Sequence, residues 1–418
     1  MSWRTVPVCL AVLLAAVAGA SRYHQGHVRF ARLQLAFADG KAEGDHVADD
    51  LAYALARWPD SADVHLIAAR VNRLKGDPIA TDFHLTRANA IGGGATAATQ
   101  LEYLLLRVQT GEVDELAGPL ETMVEGGHPD SVLILETVAR AYMHQLRYHP
   151  AILVLNRWVE LAPTSATPYF WRGWVLERMN DAANAKEQYA KALERDPLQS
   201  RARLRLAEMY LADIRPGDAR PHLERLRVEL PDSAEVVARL GVCHFLEGDT
   251  RKARDLLTAV AARLPADPSP ALTLGRLELQ ADRPAAAEPW LRTAGRIDPA
   301  DTEVMFALAD CLSALGRDEE AEAARRRYHE YTDLLKTANK KLQDMARTPT
   351  NDPQEAYDIG DVLLRIGQPK TGVYWLNRAL ELRPNFPAAH ARLAAHYDAV
   401  GDAATAATHR KALARPGK

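Results

Sequence analysis

A proline recurs every 34 residues through the middle of this chain of 418 residues. Two further series keep the same spacing, 12 and 24 residues before each proline, and both consist mostly of alanine and glycine. A fixed period of this length is typical of stacked repeats, each of which buries its apolar face only against its neighbours. The three series are Pro129, Pro163, Pro197, Pro231, Pro265 and Pro299; Ala117, Ala151, Ala185, Ala219, Ala253 and Ala287; and Leu105, Ala139, Gly173, Ala207, Gly241 and Gly275.

One period, residues 166–199, indicates how each unit is built. Apolar residues follow helical spacing over 167–179 and again over 182–195, and Pro197 then ends the second helix because proline cannot continue one. The small residues of the two series lie where the two helices must approach each other closely. The period therefore predicts an antiparallel helix pair, repeated along the chain.

This pattern resembles the tetratricopeptide repeat family. The resemblance rests on the two small-residue slots, the terminal proline, and first-helix segments such as Leu206-Ala207…Tyr210, Leu240-Gly241 and Leu274-Gly275. It implies an all-α fold, a right-handed superhelical solenoid of about eleven helix–turn–helix repeats, whose first helices line a concave groove. The expected divisions are an array of about nine units over 28–335, an extended helix and breaker over 336–352, and two further repeats over 353–418.

The second helix that contains Ala321 departs from the repeat, because its apolar pattern runs on to about Arg347 instead of ending near residue 332. Its apolar residues are spaced alternately by three and four, which is a coiled-coil period. Two interpretations stay open: the helix packs on neighbouring repeats of its own chain, or it forms a seam with a second copy in a homodimer. The candidate seam residues are Tyr328, Tyr331, Leu335 and Leu342.

The N-terminus carries one apolar run, Val6 to Ala20, preceded by Arg4. As a helix this run spans roughly 22 Å, which is short of the roughly 30 Å hydrocarbon core of a bilayer. Residues 1–20 are therefore expected to be a signal peptide or an N-terminal membrane anchor, followed by a linker over 21–27. Either interpretation places the rest of the chain in the periplasm or cell envelope, and the richness in arginine and alanine favours a bacterial source.

No catalytic constellation is found in the sequence. It has no nucleophile elbow, phosphate-binding loop or zinc-protease motif, and its net charge of −3 does not favour binding to nucleic acid. The pair His24-x-x-His27 has no third ligand nearby, so no metal site is expected. The sequence predicts a non-catalytic protein with no cofactor, no metal and no nucleic-acid partner.

An aromatic stretch, Ala166 to Trp174, is the most distinctive candidate for binding. The resemblance places Tyr169 in the core between helices. Phe170 and Trp174 are four residues apart and so share one helix face, which the resemblance assigns to the groove, whereas Trp171 points elsewhere. The alternative is that neighbouring helices cover those rings. The candidate groove residues are Arg140, Phe170, Trp174 and Arg178, with Phe245 and Phe306 at comparable positions of later units.

The resulting prediction is a protein–protein interaction scaffold of the cell envelope that binds partner segments in its concave groove. Two alternatives stay open. One is an accessory array that presents substrates to a separate envelope enzyme such as a glycosyltransferase. The other is a structural subunit that self-associates through the long helix. Fold does not fix function, so the sequence does not name the partner.

Overall fold

A computed structural model describes residues 45–347 and 352–414 of the chain, and side chains over 47–341 and 352–414. The predicted signal peptide or anchor and its linker lie outside these residues. The chain divides between Ala202 and Arg203 into two compact units. The described part contains helices and no strands, which confirms the predicted all-α repeat fold.

The first unit contains nine helices among the described residues, and a tenth crosses its boundary with the second unit. They are α1 (Asp45–Arg57), α2 (Ala62–Lys75), α3 (Pro78–Gly92), α4 (Ala97–Gln109), α5 (Val113–Glu125), α6 (Ser131–His144), α7 (Tyr148–Leu161), α8 (Ala166–Arg178), α9 (Ala182–Arg195) and α10 (Ser200–Ala212).

The second unit continues the series with eleven further helices among its described residues. They are α11 (Pro216–Glu229), α12 (Ala234–Leu246), α13 (Thr250–Val260), α14 (Ser269–Gln280), α15 (Pro284–Ile297), α16 (Thr302–Ala314), α17 (Asp318–Arg347), α18 (Pro353–Arg365), α19 (Pro369–Leu382), α20 (Pro387–Ala399) and α21 (Ala403–Leu413).

The small-residue series explains why consecutive helices can pair so closely. A Cβ atom added to Gly275 of α14 would lie 2.5 Å from Leu291 of α15, and one added to Gly241 of α12 would lie 2.6 Å from Leu257 of α13. Such distances are too short for real side chains, so the facing leucine can be buried only because the slot is small. The repeat seen in the sequence is thus a packing requirement of each helix pair.

In nine of the ten helix pairs among the described residues, the turn has one residue in the left-handed backbone region with φ between 55° and 83°, whereas Gly111 in the α4–α5 turn has φ 130°. The left-handed residue and the next one close the first helix with backbone hydrogen bonds, as where the Leu146 N–H donates to the Met143 carbonyl at 3.0 Å and the Arg147 N–H donates to the Tyr142 carbonyl at 2.8 Å. This arrangement is a usual helix C-terminus, and glycine suits it best. The residues in this position are Gly76, Leu146, Asn180, Ile214, Gly248, Asp282, Gly316, Gly367 and Gly401.

The long helix α17 packs against the repeat that follows it in the same chain. Ala338 is buried in a cluster with Ile359 and Leu363 of α18, and Leu335 packs against that cluster. The Tyr331 hydroxyl donates a hydrogen bond to the Ile366 carbonyl. These contacts support the first of the two interpretations of the helix. The side chain of Leu342, the last candidate seam residue, lies outside the described residues, and self-association stays a prediction.

A buried ion network connects three first helices in the first unit. Glu102 of α4 lies 2.7 Å from Nε of Arg70 and 2.9 Å from Nε of Arg73, both on α2. Arg70 also contacts Asp130, at 3.1 Å, and Arg73 donates to Thr137 of α6, at 3.0 Å. Helical spacing alone does not predict these partners, because they are 29 to 64 residues apart in the chain.

Candidate partner-binding surface

Tyr169, near the start of α8, is a core residue as the sequence predicts. Its ring is buried, and its hydroxyl donates to the Pro163 carbonyl at 3.3 Å. The guanidinium carbon of Arg195 lies 3.9 Å from the ring centre and covers it. Tyr169 therefore joins the two helices of its repeat and is not part of an open face.

Phe170 is also buried, which favours the alternative that neighbouring helices cover its ring over an open platform with Trp174. Its side chain is 7% exposed, and its ring centre lies 5.9 Å from that of Tyr189 on α9. The reason is the small slot next to it: a Cβ atom on Gly173 would lie 2.8 Å from the Tyr189 ring. The missing side chain lets the Tyr189 ring come close to α8, where it also packs on Phe170.

Trp171 occupies the position beside Trp174 that the sequence analysis assigned to Phe170. The rings of Trp171 and Trp174 are both half-buried, and their centres are 6.1 Å apart in an edge-to-face arrangement. Arg140 of α6 lies over the Trp171 ring at 5.8 Å, and Arg178 lies over the Trp174 ring at 5.1 Å. Tyr148, at the start of α7, meets Trp174 edge-on at 6.2 Å. We call these five residues the tryptophan surface.

The charges at the tryptophan surface favour donors over acceptors. Arg140 is 25% exposed and lies 3.4 Å from Glu136, one helical turn away. Arg178 is exposed at the end of α8. Burial raises the pKa of Tyr148, while the nearby Arg178 opposes that rise, so the hydroxyl stays protonated at neutral pH. The surface thus offers two guanidinium groups and a phenol next to two indole rings.

Sequence reasoning missed Trp171 and Tyr148, although one signal for Trp171 was available. Residues three apart on a helix share a face just as residues four apart do, and Trp171 and Trp174 are three apart. Nothing comparable marks Tyr148, because its contact with Trp174 joins two repeats. The sequence correctly placed Arg140 and Arg178 beside the aromatic rings.

The two later candidates, Phe245 and Phe306, belong to the second unit and lie in separate clusters there. Phe245 is half-buried against a core that includes Leu274 and Leu277. Phe306 is 50% exposed, and its ring centre lies 5.7 Å from that of Tyr328. Phe306 is therefore an exposed aromatic residue, whereas Phe245 contributes mainly to packing.

Cys243 and Cys311 are buried, and burial together with Glu247 raises the pKa of Cys243 to about 11. Over residues 45–347 and 352–414, no group of three or more His, Cys, Asp or Glu side chains is arranged to hold a metal ion. Within the same residues, no helix combines the length and apolarity needed to cross a membrane.

Sequence comparison agrees with the helix pairs. Residues 172–225, 211–277, 244–304 and 278–327 match sequence models of the tetratricopeptide repeat. The chain is a tetratricopeptide repeat protein. No curated protein matches the chain significantly. The matched residues include α11 to α16, where the small-residue series is most regular.

Several solved structures are similar to this tetratricopeptide repeat protein. A repeat protein from Parabacteroides merdae aligns over 65% of this chain and 93% of its own, at 11% identity and a TM-score of 0.44. PilW, a type IV pilus biogenesis factor, aligns over 52% and 94%, at 16% identity and a TM-score of 0.40. MamA from Desulfovibrio magneticus aligns over 49% and 96%, at 15% identity and a TM-score of 0.30.

Proposed function

We propose that this protein is a non-catalytic scaffold of the bacterial cell envelope, and that it binds a segment of a partner protein at the tryptophan surface. Tetratricopeptide repeats indicate a protein-interaction role in general. The observation that supports this particular surface is the pair of half-buried tryptophans with an arginine over each ring. The envelope location rests on the apolar run near the N-terminus.

Tryptophan, tyrosine and arginine are the residue types that most often dominate the energy of protein interfaces. A guanidinium group held over an indole ring gains about 0.5–1 kcal/mol at an exposed site, so each arginine is partly fixed before a partner arrives. Fixing it in advance lowers the entropy lost on binding. The surface therefore suits a segment that inserts an apolar side chain beside Trp171 and Trp174 and places a carboxylate near Arg140 or Arg178.

The test is a crosslinking pull-down from native membranes with the wild type and with Trp171→Ala/Trp174→Ala. The proposal expects the double variant to lose at least one specific partner. Phe306→Ala is the matched control, because it removes an exposed aromatic ring from the other unit. Circular dichroism of all three proteins must show equal helicity and melting, so that a lost partner reports binding and not unfolding.

Retention of every partner by the folded double variant would contradict the proposal and leave the tryptophans with a packing role. The partner's identity separates the scaffold from the predicted alternative, an accessory array for an envelope enzyme. A glycosyltransferase among the partners lost by the double variant would favour that alternative. Recovery of the protein's own second copy would favour self-association.

A further inference from the structure

Two histidine couples occur at equivalent places in the first complete repeat of the described chain and in the last one. In the α2–α3 pair, Nδ1 of His65 lies 2.9 Å from Nδ1 of His84. In the α20–α21 pair, Nδ1 of His390 lies 3.0 Å from Nδ1 of His409. In both couples the two histidines are 19 residues apart and join the two helices of the repeat.

Several other repeats hold apolar residues at the same two slots, also 19 residues apart, whereas the α10–α11 pair holds Arg203 and His222 there. In the α6–α7 pair the slots hold Leu135 and Val154, which belong to one apolar cluster. In the α14–α15 pair they hold Ala271 and Trp290, which also share a cluster. The slot therefore accepts ordinary core packing, and the histidines are not required by the fold.

The backbone fixes which nitrogen of each histidine carries a proton. Nε2 of His65 lies 3.0 Å from the Pro59 carbonyl, and Nε2 of His390 lies 3.0 Å from the Pro384 carbonyl. A carbonyl oxygen only accepts, so each Nε2 must be the donor, and Nδ1 of the same neutral ring must be an acceptor. The short contact then requires the partner histidine to donate from its own Nδ1.

The same geometry limits how many protons a couple can hold. One added proton goes to the free Nε2 of His84 or His409 and leaves the hydrogen bond intact. A second would place two N–H groups against each other at 2.9–3.0 Å, with two positive charges. We propose that the two histidine couples are proton-sensitive latches, which hold the helices of these two repeats together at neutral pH and release them on acidification.

The surroundings of the couples agree with this direction. Burial, and then the facing His65, lower the pKa of His84, and burial followed by His390 lowers that of His409. The unfolded chain therefore binds more protons than the folded chain below about pH 6.5, which is the ordinary histidine value. The contribution of each couple to stability is present above this pH and is lost as the pH falls below it.

Several charged side chains on the neighbouring elements have partners of their own. In the first unit, Asp60 pairs with Arg87, Glu102 pairs with arginines of α2, and the buried Asp50 of α1 also has a partner.

In the second unit, Asp361 of α18 pairs with Arg392 of α20. Arg410 pairs with Asp398 beside the second couple, and the Tyr397 ring stacks on His409. The charged neighbour that lowers the pKa of His84 is His65, and the one that lowers the pKa of His409 is His390.

Hydrogen exchange of the full chain, measured in EDTA at pH 7.5 and pH 5.5, tests the proposal. Protection factors, which remove the intrinsic pH dependence of exchange, are compared among helix pairs. If the unfolded form of a repeat binds one more proton than its folded form, the equilibrium constant for opening that repeat rises by up to about tenfold over this pH range. We expect protection in α2–α3 and α20–α21 to fall several-fold, and protection in α14–α15, which contains no histidine, to change little.

Replacing each couple with the apolar pair of another repeat supplies the variants. His65→Leu/His84→Val should abolish the pH dependence of α2–α3 and leave that of α20–α21, and His390→Leu/His409→Val should do the reverse. The proposal would be overturned if protection fell equally in α14–α15, or if the protection of a helix pair still depended on pH after its histidines had been replaced. Nitrogen NMR of the wild type needs no variant: His84 and His409 must carry their proton on Nδ1, and finding it on Nε2 in both would also refute the latch.

Discussion

Removal of Glu102 should destabilise the first unit more than any other single loss of charge described here. Its side chain is 0% exposed and its two oxygens lie against Arg70 and Arg73. Glu102→Leu leaves Arg70 with Asp130, but it leaves Arg73, which is 1% exposed, without a carboxylate. Breaking a buried ion pair from one side costs about 3–5 kcal/mol. Such a loss is a large fraction of the stability of a domain.

The assay is urea unfolding followed by circular dichroism, with hydrogen exchange of α2, α4 and α6 to locate the change. Glu112→Leu is the matched control. Glu112 also pairs with an arginine of α4, Arg107, but this ion pair is exposed. The substitution should change stability little. Arg73→Met in the Glu102→Leu background should recover much of the loss, since it removes the uncompensated charge. A Glu102→Leu protein as stable as the control, or no recovery in the double variant, would refute the reasoning.

Three further predictions concern the second unit. Gly360→Ala should cost about 1–3 kcal/mol in urea unfolding, since its Cβ would lie 2.9 Å from backbone atoms, whereas Gly217→Ala, with open space around it, should be neutral or slightly stabilising. Cys243, with its pKa near 11, should resist iodoacetamide at pH 8 until the protein unfolds, and mass spectrometry that finds it alkylated in the folded state would contradict this. Tyr331→Phe should cost about 1 kcal/mol by thermal melting, through the lost bond to Ile366, and unchanged melting would argue against that contact.

The sequence predicts the helix pairs well because one repeated packing constraint sets them. The helices predicted over 167–179 and 182–195 are found at Ala166–Arg178 and Ala182–Arg195, and the long helix continues past residue 332 as predicted and is described up to Arg347. Within-repeat contacts follow from the period, as Gly173 and Tyr189 show. The prediction of the fold class and of the repeat family therefore needed no long-range information.

The candidate surface was harder to predict, because it depends on which ring of α8 its neighbours cover. Phe170 and Trp171 are adjacent in sequence, and the side chain of Tyr189, from the next helix, covers the first of them. The histidine couples were missed because helical spacing relates His390 only to residues of its own helix, whereas its partner His409 lies on the next one. Contacts between helices, which helical spacing does not encode, decide all of these cases.

The left-handed turn residues give the repeats unequal mechanical strength. Where the position is Gly248 or Gly316 the backbone is relaxed, but Leu146 and Ile214 adopt the same conformation at a cost of about 1–2 kcal/mol each. In a repeat array, stability is roughly a sum of local terms. If the chain is pulled from its ends, we expect the pairs joined at Leu146 and Ile214 to rupture at lower force than the pairs joined at a glycine.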